Sequence, residues 1–163
     1  MTIGLFAGSF DPVTNGHVDI IKRASCLFDM LYVGIFYNKD KKGLFSIEQR
    51  QRMLTEALAD LENVQIITAH DVLAVTVAKQ VGATHLVRGL RGSEDIDLEA
   101  RLDFYNHELA PELETVYLMT MLEWKYVSST HVRELIYFKT DISKYVPESV
   151  VKEVEETFGN KDN

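Results

Sequence analysis

The sequence contains very little cysteine and no long hydrophobic run. Its single cysteine, Cys26, excludes an internal disulfide and is typical of a protein from a reducing compartment. Cys26 lies in an apolar stretch, so we expect a buried packing residue rather than a nucleophile. No apolar run reaches the roughly 18 residues of a membrane-spanning helix, and no basic leader precedes the first apolar segment. These absences predict a cytoplasmic protein without a membrane partner.

Basic residues are also in the minority. There are 17 Lys and Arg against 25 Asp and Glu, which gives a net charge of −8. A nucleic acid polymer needs an extended basic face, so we do not expect one as a partner. A small nucleotide needs only a few converging cations, and short basic clusters occur at Lys39, Lys41 and Lys42 and at Arg88 and Arg91. The simplest interpretation of such a cluster alone is a solvated surface, so the neighbouring residues must decide.

Several common site motifs are missing. The histidines at 70, 85, 107 and 131 have no metal-ligand spacing, so we predict no protein metal site. There is no G-x-x-x-x-G-K-[ST] segment and no G-x-G-x-x-G fingerprint, which argues against a P-loop or a classical dinucleotide site. A nucleophile-elbow motif is absent as well.

Apolar β-rich segments alternate with helical segments nearly throughout the chain. The predicted strands are 3–7, 31–37, 64–69, 84–88 and 115–121, and the predicted helices are 16–28, 46–61, 73–81, 93–109, 128–138 and 147–159. Apolar strands separated by helices predict a parallel sheet that is covered on both faces. We therefore predict one α/β domain over residues 1–159, with a doubly wound five-stranded sheet and a frayed tail at 160–163. Ligands of such a sheet bind at the carboxyl ends of its strands.

The end of the first strand carries the first candidate site, from Gly8 to His17. Glycine at 8 allows close approach of a ligand, and Asn15 could cap the following helix. Gly16 and His17 then fall in the first helical turn, where amide groups and the helix dipole attract phosphate. A histidine at a helix start can also be purely structural, and these two interpretations stay open at this point.

Two further strand ends carry polar residues. Arg88-Gly89-Leu90-Arg91 follows the fourth strand, and paired arginines on a tight turn can bind phosphate through planar, bidentate donors. The alternative is a surface turn with solvated arginines. The segment Ser128-Ser129-Thr130 follows the fifth strand and begins a helix. One hydroxyl suffices as a cap, which leaves the others free to donate to phosphate oxygens.

These three segments resemble those of a known family. The segment from Gly8 to His17 is similar to the T/HxGH signature of the nucleotidylyltransferase superfamily, and its form GxFDPxTNGH resembles the phosphopantetheine adenylyltransferase branch, with Ser9 where many members have threonine. The RGLR segment at 88–91 and the segment 127–133 resemble two further motifs, the latter with Val127 in the isoleucine place. The acidic helix after RGLR keeps Glu99 but lacks the aromatic residues that are usual in DFEYE.

The resemblance implies a Rossmann-like nucleotidylyltransferase fold that transfers AMP from ATP to 4′-phosphopantetheine, giving dephospho-CoA and pyrophosphate in coenzyme A biosynthesis. It also implies a homohexamer and Mg²⁺ that arrives with ATP. The reaction needs fixed donors and cations around the α-phosphate more than a strong base. The implied catalytic residues are Ser9, His17, Lys41 and Arg91, with Lys42 as a close alternative to Lys41.

The resemblance also implies the binding residues. For ATP they are Ser9, Phe10, His17, Gly89, Leu90, Arg91, Glu99, Trp124, Lys125, Tyr126, Val127, Ser128, Ser129 and Thr130. For the acceptor they are Ser9, Lys41, Leu73 and Arg88, although Leu73 could instead be a core leucine.

Two alternatives remain at this point. The first is a nucleotidylyltransferase with another acceptor, such as a pyridine mononucleotide or glycerol phosphate. The second is a regulatory domain that binds ATP without catalysis. Such a domain needs a phosphate-binding loop but no convergence of His, Lys and Arg around the α-phosphate.

Overall fold

The computed structural model describes residues 1–159, so the predicted frayed tail at 160–163 lies outside the described residues. The strands are β1 (Ile3–Gly8), β2 (Met30–Tyr37), β3 (Val64–His70), β4 (His85–Leu90) and β5 (Glu114–Met119). The helices are α1 (Asn15–Ser25), α2 (Ile47–Ala57), α3 (Ala74–Val81), α4 (Ser93–Leu109), α5 (Ser129–Tyr137) and α6 (Glu148–Phe158), with a short 3₁₀ helix at Leu122–Trp124.

The strands form one sheet in the order β3-β2-β1-β4-β5, and all neighbouring pairs are parallel. The chain builds outward from β1 to β3 and then returns to the other side of β1 with β4. The winding direction therefore reverses between β1 and β4, where Phe6 lies opposite Val87. Such a reversal opens a crevice at the carboxyl ends of the two strands. The predicted doubly wound five-stranded α/β sheet is confirmed.

Two apolar cores cover the two faces of the sheet. Neighbouring strand residues point to opposite faces, so Phe6 packs in one core and Leu5 in the other. The larger core joins the sheet to α1, α2, α5 and α6 through residues such as Ile21, Leu54 and Val132. The smaller core packs α3 on the other face through Val77 and Ala78.

Helix α4 packs much less tightly than the other helices. Glu99 is its one buried residue. Its exposed large apolar residues are Ile96, Leu98, Leu102, Phe104, Tyr105 and Leu109. Within residues 1–159, no helix is both long and apolar enough to cross a membrane.

Three local predictions are wrong. Thr14, not Asn15, caps α1, and Asn15 is the first residue of the helix. Helix α1 also ends at Ser25, before the predicted end at 28, and Cys26 is its exposed C-cap residue rather than a buried one. The apolar stretch around Cys26 includes Leu27, which is also exposed. Apolar composition was misleading here because α1 ends at Ser25, so positions 26 and 27 do not continue its buried face.

Candidate active site

A cleft of about 410 Å³ lies at the carboxyl ends of β1 and β4, where the winding of the sheet reverses. We call it the histidine cleft. Eleven of the residues predicted for ATP or the acceptor line it: Ser9, Phe10, His17, Arg88, Gly89, Arg91, Glu99, Trp124, Val127, Ser128 and Ser129. Segments that are far apart in the sequence therefore converge on one cavity.

His17 has a structural contact and a free donor at the same time. The backbone N–H of Thr14 donates to Nδ1 of His17 at 3.0 Å, while the backbone N–H of His17 donates to Oγ1 of Thr14 at 3.3 Å. This reciprocal pair is a capping box that closes the start of α1. Because Nδ1 accepts a hydrogen bond, the neutral ring carries its proton on Nε2. Within the described part of the chain no protein group accepts from Nε2, so it can donate to a ligand.

The cleft keeps His17 uncharged. Burial, and secondly the positive charge of Arg91, lower the pKa of the imidazole from 6.5 to about 4. Near neutral pH the ring is therefore a neutral donor, and it is a poor base because its conjugate acid is so strong. Arg91 lines the same cleft, which brings a second, cationic donor into the cavity of the ring.

The start of α5 offers a clearer anion site than the start of α1. In α1, the amides of Asn15 and His17 already donate, to Tyr145 and Thr14. In α5, Ser128 caps the helix by accepting from the amide of His131. Among residues 1–159, no protein acceptor is bonded to the amides at 129 and 130, so both can donate to an anion at the positive end of the helix.

Arg88 and Glu99 form the wall between the histidine cleft and a second cavity. Nε and Nη2 of Arg88 donate to the two carboxylate oxygens of Glu99 at 2.8 and 2.7 Å. This hydrogen bonding raises the pKa of the Arg88 guanidinium. Glu99 was predicted as a nucleotide contact, and both of its oxygens already bind Arg88. Any contact from Glu99 to a nucleotide would have to share those oxygens.

The second cavity, which we call the leucine cavity, has a volume of about 190 Å³. It is lined by Leu73, Leu102, Asn106 and Tyr117, in addition to Arg88 and Glu99. Leu73 is 60% exposed, so the interpretation as a core leucine is wrong. Its position at the cavity is compatible with the predicted contact with an acceptor, which stays a prediction.

The predicted lysines lie in a third cavity of about 610 Å³, which we call the lysine cavity. Lys41 and Lys42 both line it, together with Ser9, Asp71 and Arg133. Ser9 also lines the histidine cleft, so the two cavities adjoin at this residue. The structure does not bring Lys41 into the cavity of His17, and it does not choose between the two lysines.

Four predicted ATP contacts do not line the histidine cleft. They are Leu90, Lys125, Tyr126 and Thr130. Tyr126 is 80% exposed, and Nζ of Lys125 lies 5.5 Å from the centre of its ring. The hydroxyl of Thr130 accepts from Nη2 of Arg133 at 3.3 Å. These residues remain predictions that the geometry does not group with the others.

Three charged residues that line the lysine cavity, Asp11, Arg50 and Arg133, were not predicted as site residues. They hold the segment that contains Ser9 and Phe10, because Arg50 binds the carbonyl of Ser9 and pairs with Asp11, and Arg133 binds the carbonyl of Asp11. Asp11 and Arg133 lie within the motifs recognised in the sequence, and this position could have identified them as site residues. Arg50 lies in the middle of α2, and nothing in its local sequence connects it to the site.

The donors around the histidine cleft suit phosphate rather than a directly bound metal ion. They are an imidazole, two guanidinium groups, hydroxyls and helix amides. Among residues 1–159, no group of three or more His, Cys, Asp or Glu side chains could hold a metal ion. These residues fit Mg²⁺ that arrives on nucleotide phosphates and keeps its waters.

Comparison with known proteins agrees with this geometry. Residues 5–135 match the family model described as cytidylyltransferase-like. The chain is 63% identical to the phosphopantetheine adenylyltransferase of Streptococcus mutans, over 98% of this chain and 96% of that protein. It is 58% identical to the phosphopantetheine adenylyltransferase of Streptococcus gordonii, over 94% of this chain and 93% of that protein. The chain belongs to the phosphopantetheine adenylyltransferase family.

A solved structure extends the likeness to the fold. The putative nicotinate-nucleotide adenylyltransferase of Vibrio parahaemolyticus superimposes with a TM-score of 0.70 at 19% identity, covering 98% of this chain and 94% of that chain. At this identity the likeness concerns the fold alone. The phosphopantetheine adenylyltransferase family thus shares its doubly wound sheet with an adenylyltransferase that is named for another acceptor.

Proposed function

We propose that this chain transfers AMP from ATP to 4′-phosphopantetheine, releasing pyrophosphate and forming dephospho-CoA. Membership of the phosphopantetheine adenylyltransferase family supports the choice of substrates. The observation that carries the chemistry is the convergence of a neutral His17 donor, Arg91 and the start of α5 on one cleft. A domain that only binds ATP has no need for a buried neutral donor in the same cleft as a cation.

In the proposed reaction, a phosphate oxygen of the acceptor attacks the α-phosphorus of ATP. A new phosphorus–oxygen bond forms while the bond from the α-phosphorus to the bridging oxygen breaks, and pyrophosphate leaves with the electron pair. The attacking phosphate is already anionic near neutral pH, so no group has to remove a proton from it. The barrier comes from the approach of two anions and from charge on the α-phosphate, which fixed donors reduce.

The residues of the histidine cleft take distinct roles in this proposal. Nε2–H of His17 donates to an α-phosphate oxygen, and Arg91 neutralises the charge that develops there. The free amides at the start of α5 hold the departing pyrophosphate, while the hydroxyl of Ser129 donates to the carbonyl of Pro12 at 2.7 Å. These donors are fixed before the reaction, so little reorganisation is needed as the charge moves.

The acceptor would extend from the cleft into the leucine cavity. Leucine side chains and Asn106 line that cavity, which suits an arm that is apolar but carries amides. Arg88 stands between the two cavities, where it could bind the phosphate end of the acceptor. The lysine cavity lies on the other side of Ser9, so Lys41 or Lys42 would contact the phosphates from there.

Four further properties belong to the proposal. Mg²⁺ would bind to the ATP phosphates and would neutralise part of their charge. His17, Arg91 and the start of α5 would hold those phosphates. A homohexamer is supported by the exposed apolar residues of α4, because large apolar side chains left exposed on a helix favour contact with another subunit. The proposal also includes a single domain over residues 1–159. It includes a cytoplasmic location as well, in keeping with a single free cysteine.

The test is an assay of pyrophosphate release with a panel of substrates. ATP and CTP are each combined with 4′-phosphopantetheine, nicotinate mononucleotide, nicotinamide mononucleotide and glycerol 3-phosphate. We expect ATP with 4′-phosphopantetheine to give the highest kcat/KM, with dephospho-CoA identified by mass. A higher value for another acceptor would refute the assigned substrate, and no release with any pair would refute the enzymatic function.

A further inference from the structure

A buried ion pair joins two segments that line different cavities. Asp11 follows β1, Arg50 lies in α2, and Nη2 of Arg50 is 3.4 Å from Oδ2 of Asp11. Their side chains are only 9% and 6% exposed. The carboxylate of Asp11 also accepts from the backbone amides of Leu44 and Phe45, both at 2.9 Å. Asp11 thus binds the end of the loop that contains Lys41 and Lys42, which we call the lysine loop (residues 38–45).

All three nitrogens of the Arg50 guanidinium are used for these connections. Nε donates to the carbonyl of Phe45 at 3.1 Å, and Nη1 donates to the carbonyl of Ser9 at 3.2 Å. The third, Nη2, faces Asp11. One side chain therefore contacts the lysine loop, the segment after β1 and the carboxylate between them. Each nitrogen therefore has a protein partner, and Arg50 needs no substrate to complete its hydrogen bonding.

The lysine loop packs directly on this pair at Gly43. A side-chain Cβ built at residue 43 would collide with the guanidinium of Arg50 and lie 2.7 Å from Oδ2 of Asp11. The fit between the loop and the ion pair is therefore close. A change in the guanidinium position must move the loop or break a hydrogen bond to it.

The segment after β1 needs to be held because Phe10 is strained. Its φ angle is +47°, a left-handed conformation that non-glycine residues rarely adopt. Such a residue persists when its surroundings fix it from several sides. Arg50 binds the carbonyl of Ser9 just before Phe10, and Arg133 binds the carbonyl of Asp11 just after it at 2.8 Å. Phe10 is also 1% exposed, with its ring centre 5.1 Å from that of His17.

We propose that Arg50 is a positioning residue that fixes the lysine loop relative to Ser9 and His17, through Asp11. Arg50 lines the lysine cavity, but each nitrogen of its guanidinium already has a protein partner, so in this role it acts on catalysis through the lysine of the loop. The expected effect on catalysis rests on the proposed function. The mechanical link, by which Arg50 holds the lysine loop in place, can be tested without turnover. A buried ion pair is weak evidence for stability alone, since desolvation offsets much of its attraction.

The first test is a double-mutant cycle between Arg50 and the loop lysines. Arg50→Lys keeps the charge but cannot bond Ser9, Phe45 and Asp11 together. We expect kcat/KM for 4′-phosphopantetheine to fall about ten-fold or more, because misplacing a reacting group is costly. In a background with Lys41→Ala and Lys42→Ala, the same change should cost less than about two-fold, since groups that act as a unit are not additive. Equal losses in both backgrounds would refute the proposal.

The matched control is Arg52→Lys on the same helix. Arg52 also pairs with an acid, Glu153, at 2.9 Å, but its side chain is 62% exposed. Among the described residues it has no hydrogen bond to the lysine loop or to the segment after β1. We expect its kinetics to stay within about two-fold of the wild type. A loss as large as that of Arg50→Lys would point to a general effect of α2 on stability and would overturn the specific role of Arg50.

The second test measures amide hydrogen exchange at Leu44 and Phe45, which requires no activity. In Arg50→Lys these amides should exchange about ten-fold faster, because Asp11 is no longer held in place, while the amide of Val33 in β2 stays unchanged. Unchanged exchange at Leu44 and Phe45 refutes the mechanical link. If the wild type released no pyrophosphate with any acceptor, the proposed function would fail, and this experiment would still decide the link.

A second variant covers the case in which Arg50→Lys fails to fold. Gly43→Ala keeps both charges and displaces the guanidinium through the collision at Cβ. We expect it to reproduce the faster exchange and the loss of kcat/KM. Wild-type kinetics and exchange in Gly43→Ala would refute the proposal.

Discussion

The backbone amide of Thr14 donates to Nδ1 of His17 at 3.0 Å, and this contact selects the tautomer of the histidine. The structural interpretation of a histidine at this helix start is therefore confirmed, since Nδ1 caps the helix, while Nε2 remains a donor for the proposed site. The cap also orients the ring, so that Nε2–H is fixed before any ligand arrives. A donor fixed in advance is what stabilises a charge that grows in the transition state.

Replacing His17 with alanine should slow turnover much more than it weakens ATP binding. We expect kcat to fall about 100-fold or more, as on removal of an oxyanion donor, with ATP affinity changed by no more than a few-fold. Steady-state kinetics and calorimetric ATP titration measure the two effects. His131→Ala is the control, because His131 has the same place in α5 and its amide donates to Ser128. A raised KM at normal kcat would make His17 a ground-state binder.

The pH dependence of His17 follows from its pKa of about 4. The folded state binds this proton less readily than the unfolded state, so folding loses stability as the pH falls from about 6.5 to about 4 and loses none above that window. An NMR titration of the His17 ring should therefore give a midpoint near 4. Arg91→Gln should raise the midpoint, because it removes the nearby cation. A midpoint near 6.5 in the wild type would contradict both statements.

The exposed apolar residues of α4 should control self-association. Phe104 and Tyr105 are 60% and 64% exposed on this helix. Phe104→Asp should lower the particle mass measured by sedimentation or light scattering, because a charge cannot be buried at an apolar contact without a large cost. Leu27→Asp is the control, since Leu27 is 55% exposed but lies after α1. An unchanged mass for Phe104→Asp would exclude these residues of α4 from the interface.

Arg91 should act on the rate rather than on acceptor binding. Its positive charge reaches His17, and its side chain is held loosely, with Nε 3.7 Å from Asp95. Arg91→Lys keeps a point charge but loses the planar fork, so it cannot follow two phosphate oxygens as they move. We expect kcat to fall about ten-fold while the acceptor KM changes little. Steady-state kinetics with both substrates varied would contradict this role if kcat stayed normal.

Sequence patterns predicted the elements well where local periodicity decides them. Helix α4 has the predicted bounds, and β1 alternates its side chains between two cores. The predictions failed where the outcome depends on contacts between distant segments. Burial of Cys26 depended on where α1 ends, and the role of Arg50 depends on carbonyl groups at residues 9 and 45. A single sequence does not contain such distances.

The ion pair between Arg88 and Glu99 gives the last prediction. Two nitrogens of Arg88 are bound to Glu99, so Nη1 is the part of the fork left for an acceptor phosphate. A lysine at 88 could satisfy Glu99 or the acceptor but not both with good geometry, because it has no second arm. Arg88→Lys should therefore raise the acceptor KM about ten-fold and change the ATP KM by less than about two-fold.

The control for this prediction is Arg101→Lys, an exposed arginine on α4, where we expect little change in either KM. Glu99→Gln separates the two possible functions of the pair. If Glu99 orients Arg88, its loss should raise the acceptor KM, because the guanidinium is then free to rotate away from the wall between the cavities. If Glu99 instead competes with the acceptor phosphate, its loss should lower that KM. We expect the first outcome, since both carboxylate oxygens hold the fork in one plane, and a lowered acceptor KM in Glu99→Gln would contradict it.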